Sequence, residues 1–397
     1  MNKVFALIFG LLAALPVRAQ TLADALEQAW LLHPLAAALD AREAAAAART
    51  ELALGLTPGP AAVSLGNLGD RLNGNRGKDE WEVELSTPLW LPGQQAARQA
   101  QAEGASAEVA ARRAALRLQV AGALREAWWA VAAARNARDM ADRRVETASG
   151  LEADVERRFK AGDLARVDAN LAHNERLAAD AELVDAESAL LQAEQAYRAL
   201  TGAAAPASLA EEAPAAQGEP REEHAQLAAA AASARVAWSS LKVAEQTRRD
   251  APEIAVRLAR DRRDYSDPYA NAVGVKLTIP FASTPRVRQE TLAATAEAAE
   301  ADAELARARL KLQLEVEKTR ADLDAAERQL AIAKARRALT ADTLRLTEKS
   351  FALGESDLTT LLRVRTSALE ADALFNRQQV ARAAAQSRLK QALGVLP

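Results

Sequence analysis

The chain contains no cysteine. A disulfide framework is therefore excluded, and so is a lipid anchor carried on a cysteine thiol, so stability must come from burial and assembly. Aromatic residues make up only 4% of the sequence although half of it is hydrophobic. That surplus is largely alanine, which together with Glu, Arg, Leu and Gln is the composition of long helices packed closely side by side. A charge excess is missing too, with 51 basic residues against 54 acidic ones. This argues against nucleic-acid binding, which normally carries a basic surplus. Beyond the first 20 residues no uninterrupted apolar run reaches membrane-helix length, leaving a barrel or a surface attachment as the ways to meet a bilayer.

The N-terminus is a secretory signal in form. Lys3 supplies the positive end, Val4 to Leu15 is apolar apart from Gly10, and Val17-Arg18-Ala19 ends with small residues at the cleavage positions. Cleavage is expected after Ala19, which places 1–19 in the signal.

Five landmarks then recur at one offset of 192 positions: Pro60 and Pro252, Pro88 and Pro280, Phe159 and Phe351, Gly162 and Gly354, Gly202 and Gly394. Prolines and glycines punctuate the backbone, so their recurrence in register means a duplicated structural plan. The expected division is a first repeat over 20–202, a linker over 203–220 rich in Pro, Ala and Glu, and a second repeat over 221–397.

Each repeat reads helix, strand, loop, strand, long helix, turn, helix. Thr21 is placed to cap a helix from Leu22 to about Leu54, broken by Thr57-Pro58-Gly59-Pro60. A short segment, Ala61 to Leu68, precedes the polar loop Gly69 to Gly77. The clearest strand follows, where Trp81, Val83, Leu85 and Thr87 alternate with Glu80, Glu82, Glu84 and Ser86. Its counterpart alternates Val273, Val275, Leu277 and Ile279 with Ala272, Gly274, Lys276 and Thr278. The first strands disagree: Ile254, Val256 and Leu258 lie on the opposite parity to Val63 and Leu65, which calls for a bulge or a one-residue shift. Helix-forming sequence runs from Pro92-Gly93 to about Lys160 and from Pro285 to about Leu353, on the order of 100 Å each at 1.5 Å per residue. In the second, Val316, Leu323 and Leu330 interleave with Leu305, Leu312, Thr319 and Ala326 as a heptad seam.

Alternation of one polar and one apolar face suits a wall between water and lipid, with Trp81, Trp90, Tyr269 and Phe281 bracketing the strands as interface girdles do. The plainer reading is a small sheet packed on its own helices. Four strands cannot close a barrel, whereas three chains would supply twelve.

Several stretches resemble a known family. Leu22-x-x-Ala25-Leu26-x-x-Ala29 with His33-Pro34 is similar to the start of TolC-like outer-membrane factors. Phe159-x-x-Gly162-x-x-x-x-x-Asp168-x-x-x-Ala172, reaching Ala199-Leu200-Thr201-Gly202, resembles the signature around that family's helical hairpin, and Phe351 to Gly394 is a looser copy. The resemblance implies a mainly α fold with a small β part: a homotrimer whose 12-stranded outer-membrane barrel, four strands per chain, continues as a long α-helical periplasmic tunnel. It implies a Gram-negative outer-membrane setting, contact with outer-membrane lipid, a periplasmic adaptor protein and an inner-membrane pump of the resistance-nodulation-division type. The chain would be a passive efflux duct rather than an enzyme, without cofactor, catalytic residues or resident metal. Trp90-Leu91-Pro92-Gly93-Gln94-Gln95 is most similar to the heavy-metal-cation (CzcC-like) branch. Ducts for drug efflux or type I secretion share the fold, and a periplasmic coiled-coil scaffold without a channel explains export, alanine and heptads.

The resemblance assigns adaptor docking to the hairpin tips Phe159, Gly162, Asp163, Phe351, Gly354 and Glu355. Their plainer roles are seam packing for Phe and turn formation for Gly. Acidic residues six places after the second-repeat glycine narrow the entrance in relatives; here Thr360 stands there, the first repeat keeps Asp168, and Asp357 is a substitute. Helix capping accounts for both aspartates equally well. Glu80, Glu82, Glu84 and Lys276 are the candidates for the barrel lumen. The three histidines, His33, His173 and His224, lie far apart in sequence without metal-ligand spacing.

Overall fold

The computed structural model describes residues 21–214 and 224–397. The expected signal segment, and the part of the expected linker from 215 to 220, lie outside the described residues.

Thr21 opens α1 (Leu22–Leu32) with a reciprocal cap. Its hydroxyl accepts the Asp24 N–H at 3.2 Å, and the Asp24 carboxylate accepts the Thr21 N–H at 3.0 Å, which satisfies two of the donors a helix start leaves open. The single helix expected from Leu22 to Leu54 is in fact two. His33 is extended at ψ 119°, because the ring of a following proline disfavours helical geometry in the residue before it. Pro34 then serves as the first residue of α2 (Pro34–Leu54), where its missing N–H costs nothing.

The strands are β1 (Ala62–Gly69), β2 (Asp79–Pro88), β3 (Glu253–Arg262) and β4 (Ala270–Thr278). They form one antiparallel sheet in the order β1-β2-β3-β4. The two hairpins therefore join through β2 and β3, which are distant in sequence. The parity puzzle resolves as a one-residue shift. Val83 pairs with Leu65, whereas its equivalent Val275 pairs with Val256, one place away from the equivalent of Leu65. The shift keeps Val63 and Leu65 on the same face as Val83 and Leu85, since slipping by one residue moves a strand's side chains to its other face.

Two long helices match their expected bounds closely: α3 (Gln94–Ala161) and α6 (Thr284–Ala352). They are followed by α4 (Arg166–Thr201) and α7 (Leu358–Ala392), while α5 (Ala225–Gln246) leads into β3. The expected seam of α6 is buried at Leu312, Val316, Thr319 and Ala326. The chain forms two compact units, and each sequence repeat contributes to both. Among the described residues, one comprises 21–33, 119–214 and 317–397; the other holds 34–118 and 224–316, including the four strands.

In the first unit a core gathers Leu22, Ala25, Leu26 and Ala29 of α1 with Val120, Leu124, Trp128 and Val131 of α3 and Tyr197 of α4. The Trp128 and Tyr197 rings lie tilted with centroids 6.1 Å apart, a favourable aromatic geometry. The described part of the expected linker, 203–214, has no regular secondary structure but is bolted onto this unit. Arg135 donates to the carbonyls of Ala205, Pro206 and Ala207 and pairs with Glu194 at 3.1 Å. Arg125, 1% exposed, holds Glu212 through two hydrogen bonds of 3.1 and 2.8 Å and reaches the Gln391 side chain and the Val395 carbonyl.

Candidate functional site: an inverted sheet and two helical tips

The sheet is built inside out. On β2, Trp81, Val83 and Leu85 are exposed at 55%, 41% and 51%, while the intervening Glu80, Glu82 and Glu84 are only half-exposed. β3 repeats the inversion: Ile254, Val256 and Leu258 are exposed and Ala255 is buried. Register places the exposed side chains in rows across all four strands, Leu65-Val83-Leu258-Val273 and Val63-Leu85-Val256-Val275. Thr87, Ile254 and Leu277 extend the band by one more row. A contiguous exposed apolar band across four strands is the kind of patch that marks a surface meeting lipid or another protein.

The opposite face gathers the four lumen candidates and supplies a residue that sequence reasoning missed. Arg257 lies beside Glu84 in register, and its guanidinium reaches Glu82 at 2.8 Å and Glu80 at 3.4 Å. Lys276 reaches diagonally across β3 to Glu84 at 3.4 Å. The small Ala255 stands between Lys276 and Ser86 and leaves room for that approach. The three glutamates expected to act together are thus balanced in part by two cations. The period of two from Val256 and Leu258 already puts Arg257 on the polar face; its partners depend on β2 pairing with a strand about 170 residues away.

Of the girdle aromatics, Trp81 stands on the apolar face and Phe281 is fully exposed. The Trp90 indole N–H donates to the Gly55 carbonyl at 3.0 Å, tying the end of α2 to the start of α3. Tyr269 donates its hydroxyl to Asp79 at 3.1 Å.

The two hairpin tips share one construction in the first unit. Gly162 and Gly354 take φ of 88° and 75°. At each, the glycine N–H bonds the phenylalanine carbonyl three residues back, and the next N–H reaches five back, Asp163 to Arg158 and Glu355 to Ser350, both at 2.9 Å. This is the Schellman closure, whose left-handed position favours glycine. A Cβ at either glycine would meet open space. Asp163 and Glu355 are exposed and Phe159 is half-buried. Phe351 differs: it is buried among Leu151, Val155, Leu358 and Leu361, with the Arg158 guanidinium 4.9 Å over its ring. As a direct docking contact Phe351 is therefore corrected to a core residue that supports the tip from within.

The entrance candidates are capping residues. Asp168, three residues into α4, accepts the Ala165 N–H at 3.1 Å, whereas Asp357 caps α7 by accepting the Thr360 N–H at 2.9 Å. Ala165 and Asp357 are equivalent under the repeat, as are Asp168 and Thr360. One carboxylate serves each helix start but has moved from the third helical position to the cap, which accounts for Thr360 standing where an acid was expected. The hydrogen bonds from Thr360 hold the Asp357 carboxyl below its usual range.

Residues 218–395 match the sequence model of the outer membrane efflux protein family. The match covers the second repeat, which is similar in sequence to outer membrane efflux proteins. The fold is shared with solved outer-membrane proteins over most of the chain. It superimposes on the outer membrane protein VceC of Vibrio cholerae with a TM-score of 0.78 at 17% identity, covering 94% of this chain and 96% of that one. CusC, described for its transmembrane channel formation, gives 0.78 at 13% identity over 95% and 93%. The Campylobacter jejuni CmeC channel gives 0.75 at 14% over 94% and 85%. No curated protein matches in sequence.

Proposed function

We propose that this chain is one of three identical subunits of a passive outer-membrane exit duct, fed by an inner-membrane pump through a periplasmic adaptor. The observation that carries the reading is the inverted exposure of β2 and β3, with apolar side chains outward and carboxylates inward. β1 and β4 are the edges of the sheet. Unpaired strand edges are a liability that closure removes, and three copies joined β4 to β1 make a closed ring of twelve. β2 and β3 have ten residues each, roughly 33 Å at about 3.3 Å per residue, which a tilt of about 40° reduces to the ~25 Å apolar band of outer-membrane barrels.

The tips at Gly162, Asp163, Gly354 and Glu355 are the adaptor-docking surface, with Phe159 beside them. Glycine at each tip lets a partner's side chains approach the backbone. In a trimer Asp168 and Asp357 each become a ring of three carboxylates, the kind of arrangement that favours cations in a pore. The cargo class rests on the likeness of Trp90 to Gln95 to the heavy-metal-cation branch. A metal ion would be cargo in transit, passing the Glu80-Glu82-Glu84 face rather than being held there. Planar-bilayer recording of the purified protein, with cross-linking to count subunits, tests the reading. The expected result is discrete ion-conducting steps from a cross-linkable trimer; a stable monomer that passes no ions overturns it.

A further inference from the structure

At one end of the apolar band the side chains change character. The row Asn67-Trp81-Arg260-Asn271 is followed by Asp79 paired with Arg262, with Tyr269 just before β4. Arg260 and Arg262 share the parity of Val256 and Leu258, so both stand on the exposed apolar side. Their guanidinium carbons lie 4.5 and 4.8 Å from the Tyr269 ring centroid. The ring is itself held: its hydroxyl donates to one oxygen of Asp79, whose other oxygen accepts from Asn67 at 2.9 Å. Asp79 is thereby spent on orienting Tyr269, and neither arginine forms an ion pair among the described residues. Arg260 is exposed.

The support beneath this stack is fixed by the two loops. Tyr265 donates its N–H to the Arg76 carbonyl at 3.3 Å and its hydroxyl to Asn75 at 2.8 Å, and Arg262 donates to the Gly77 carbonyl at 3.0 Å. Gly77 sits at φ 98°, and a Cβ there would fall 2.5 Å from the Tyr265 nitrogen, so only glycine lets the loops close this tightly. All four strands meet their helices at the other end of the sheet, so the stack lies at the end farthest from the helices. Trp81, Arg260 and Arg262 belong to the inner strands β2 and β3, not to the edges where copies would join.

We propose that the Arg260-Tyr269-Arg262 stack is a seat for a phosphate-bearing lipid headgroup of the outer leaflet. This rests on the duct reading, which puts the apolar band in lipid and the loops outside. The chemistry is complementary: planar guanidinium groups offer paired donors to phosphate oxygens, tyrosine holds their planes before the ligand arrives, and Trp81 with the Leu65-Val83-Leu258-Val273 row lies where acyl chains begin. The headgroup supplies the anion that two arginines lack.

The test reconstitutes the full mature protein in bilayers holding traces of lipid A or of lipid A stripped of its phosphates, and reads bound lipid by native mass spectrometry. Wild type should prefer the phosphorylated form roughly tenfold, the ratio that about 1.4 kcal/mol from one charge-assisted pair produces. Arg260→Gln, which leaves the Arg262 bond to the loop in place, should bring the ratio near one, with Arg260→Lys between them. Equal retention of both lipids by wild type, an unchanged ratio in Arg260→Gln, or release of lipid A by millimolar inorganic phosphate would overturn the assignment. Conductance of the same wild-type bilayers tests the duct separately. A conducting protein without lipid preference contradicts the seat alone, and a non-conducting one that keeps the preference contradicts the duct alone.

Discussion

Glu82 and Arg257 meet across the β2–β3 ladder with carboxylate oxygen and guanidinium nitrogen 2.8 Å apart. Both side chains are 30–41% exposed, so the pair adds at most about 1 kcal/mol to stability. Its consequence is electrostatic. If this face lines the proposed duct, replacing Glu82 and Glu84 by Gln leaves Arg257 and Lys276 in excess there, and cation preference in planar-bilayer conductance should fall or invert. Arg257→Gln should raise it. Unchanged reversal potentials in both variants remove this face from the selectivity of the duct.

The two faces of β4 should respond oppositely to charge. Val275 is 72% exposed in the middle of the apolar band, whereas Ala272 is exposed on the polar side. Val275→Arg should cost about 2–4 kcal/mol of membrane stability, the range for arginine at the bilayer midplane, and sharply reduce the protein recovered in outer membranes after a high-salt wash. Ala272→Arg should leave recovery unchanged and lower conductance.

Glu212 is the acid on which the first unit depends. Burial alone would raise its carboxyl; the hydrogen bonds of Arg125 and Ser387 and the nearby charges of Arg125 and Lys390 outweigh this and hold it below the usual range. A lowered folded value contributes stability at neutral pH that is lost as pH falls through it. Glu212→Gln leaves Arg125 buried without its counter-charge, which should cost on the order of 3–5 kcal/mol. Thermal unfolding of the helical signal should show the widest gap between wild type and variant near pH 7, and the gap should close as acid drives the pH down through the lowered wild-type carboxyl value.

At the tips, Gly162→Ala and Gly354→Ala each force a side chain into the left-handed region without any clash. Each should cost about 1 kcal/mol, and asparagine, which tolerates this geometry, should cost less. Hydrogen exchange near Phe159 and Phe351 should rise in the alanine variants. Adaptor binding should weaken further with a bulky residue at either position.

Much of this architecture was legible because its signals are local. Gly162 and Gly354 announced left-handed helix ends, the alternation about Val83 and Val275 announced strands, and the heptads of α6 announced a buried seam. What stayed hidden depends on long-range pairing. The join of β2 to β3 brings Arg257 to Glu82 and Arg262 to Asp79, and no periodicity encodes that. The break at His33 follows from Pro34 and was readable, but the helix-forming sequence on both sides masked it. The anchoring of 203–214 rests on Arg125 and Arg135, which sit far away on α3 among many other arginines.

The central claim, that β3 presents one side to lipid and the other to water, has a direct measurement. The absence of native cysteine makes single cysteines at 255 through 260 clean reporters. The protein should be reconstituted and each variant labelled with a membrane-impermeant, water-soluble maleimide. Positions 257 and 259 should label while 256 and 258 stay shielded. Uniform labelling along the strand, or labelling at 256 and 258 with protection at 257 and 259, would contradict a lipid-facing apolar band.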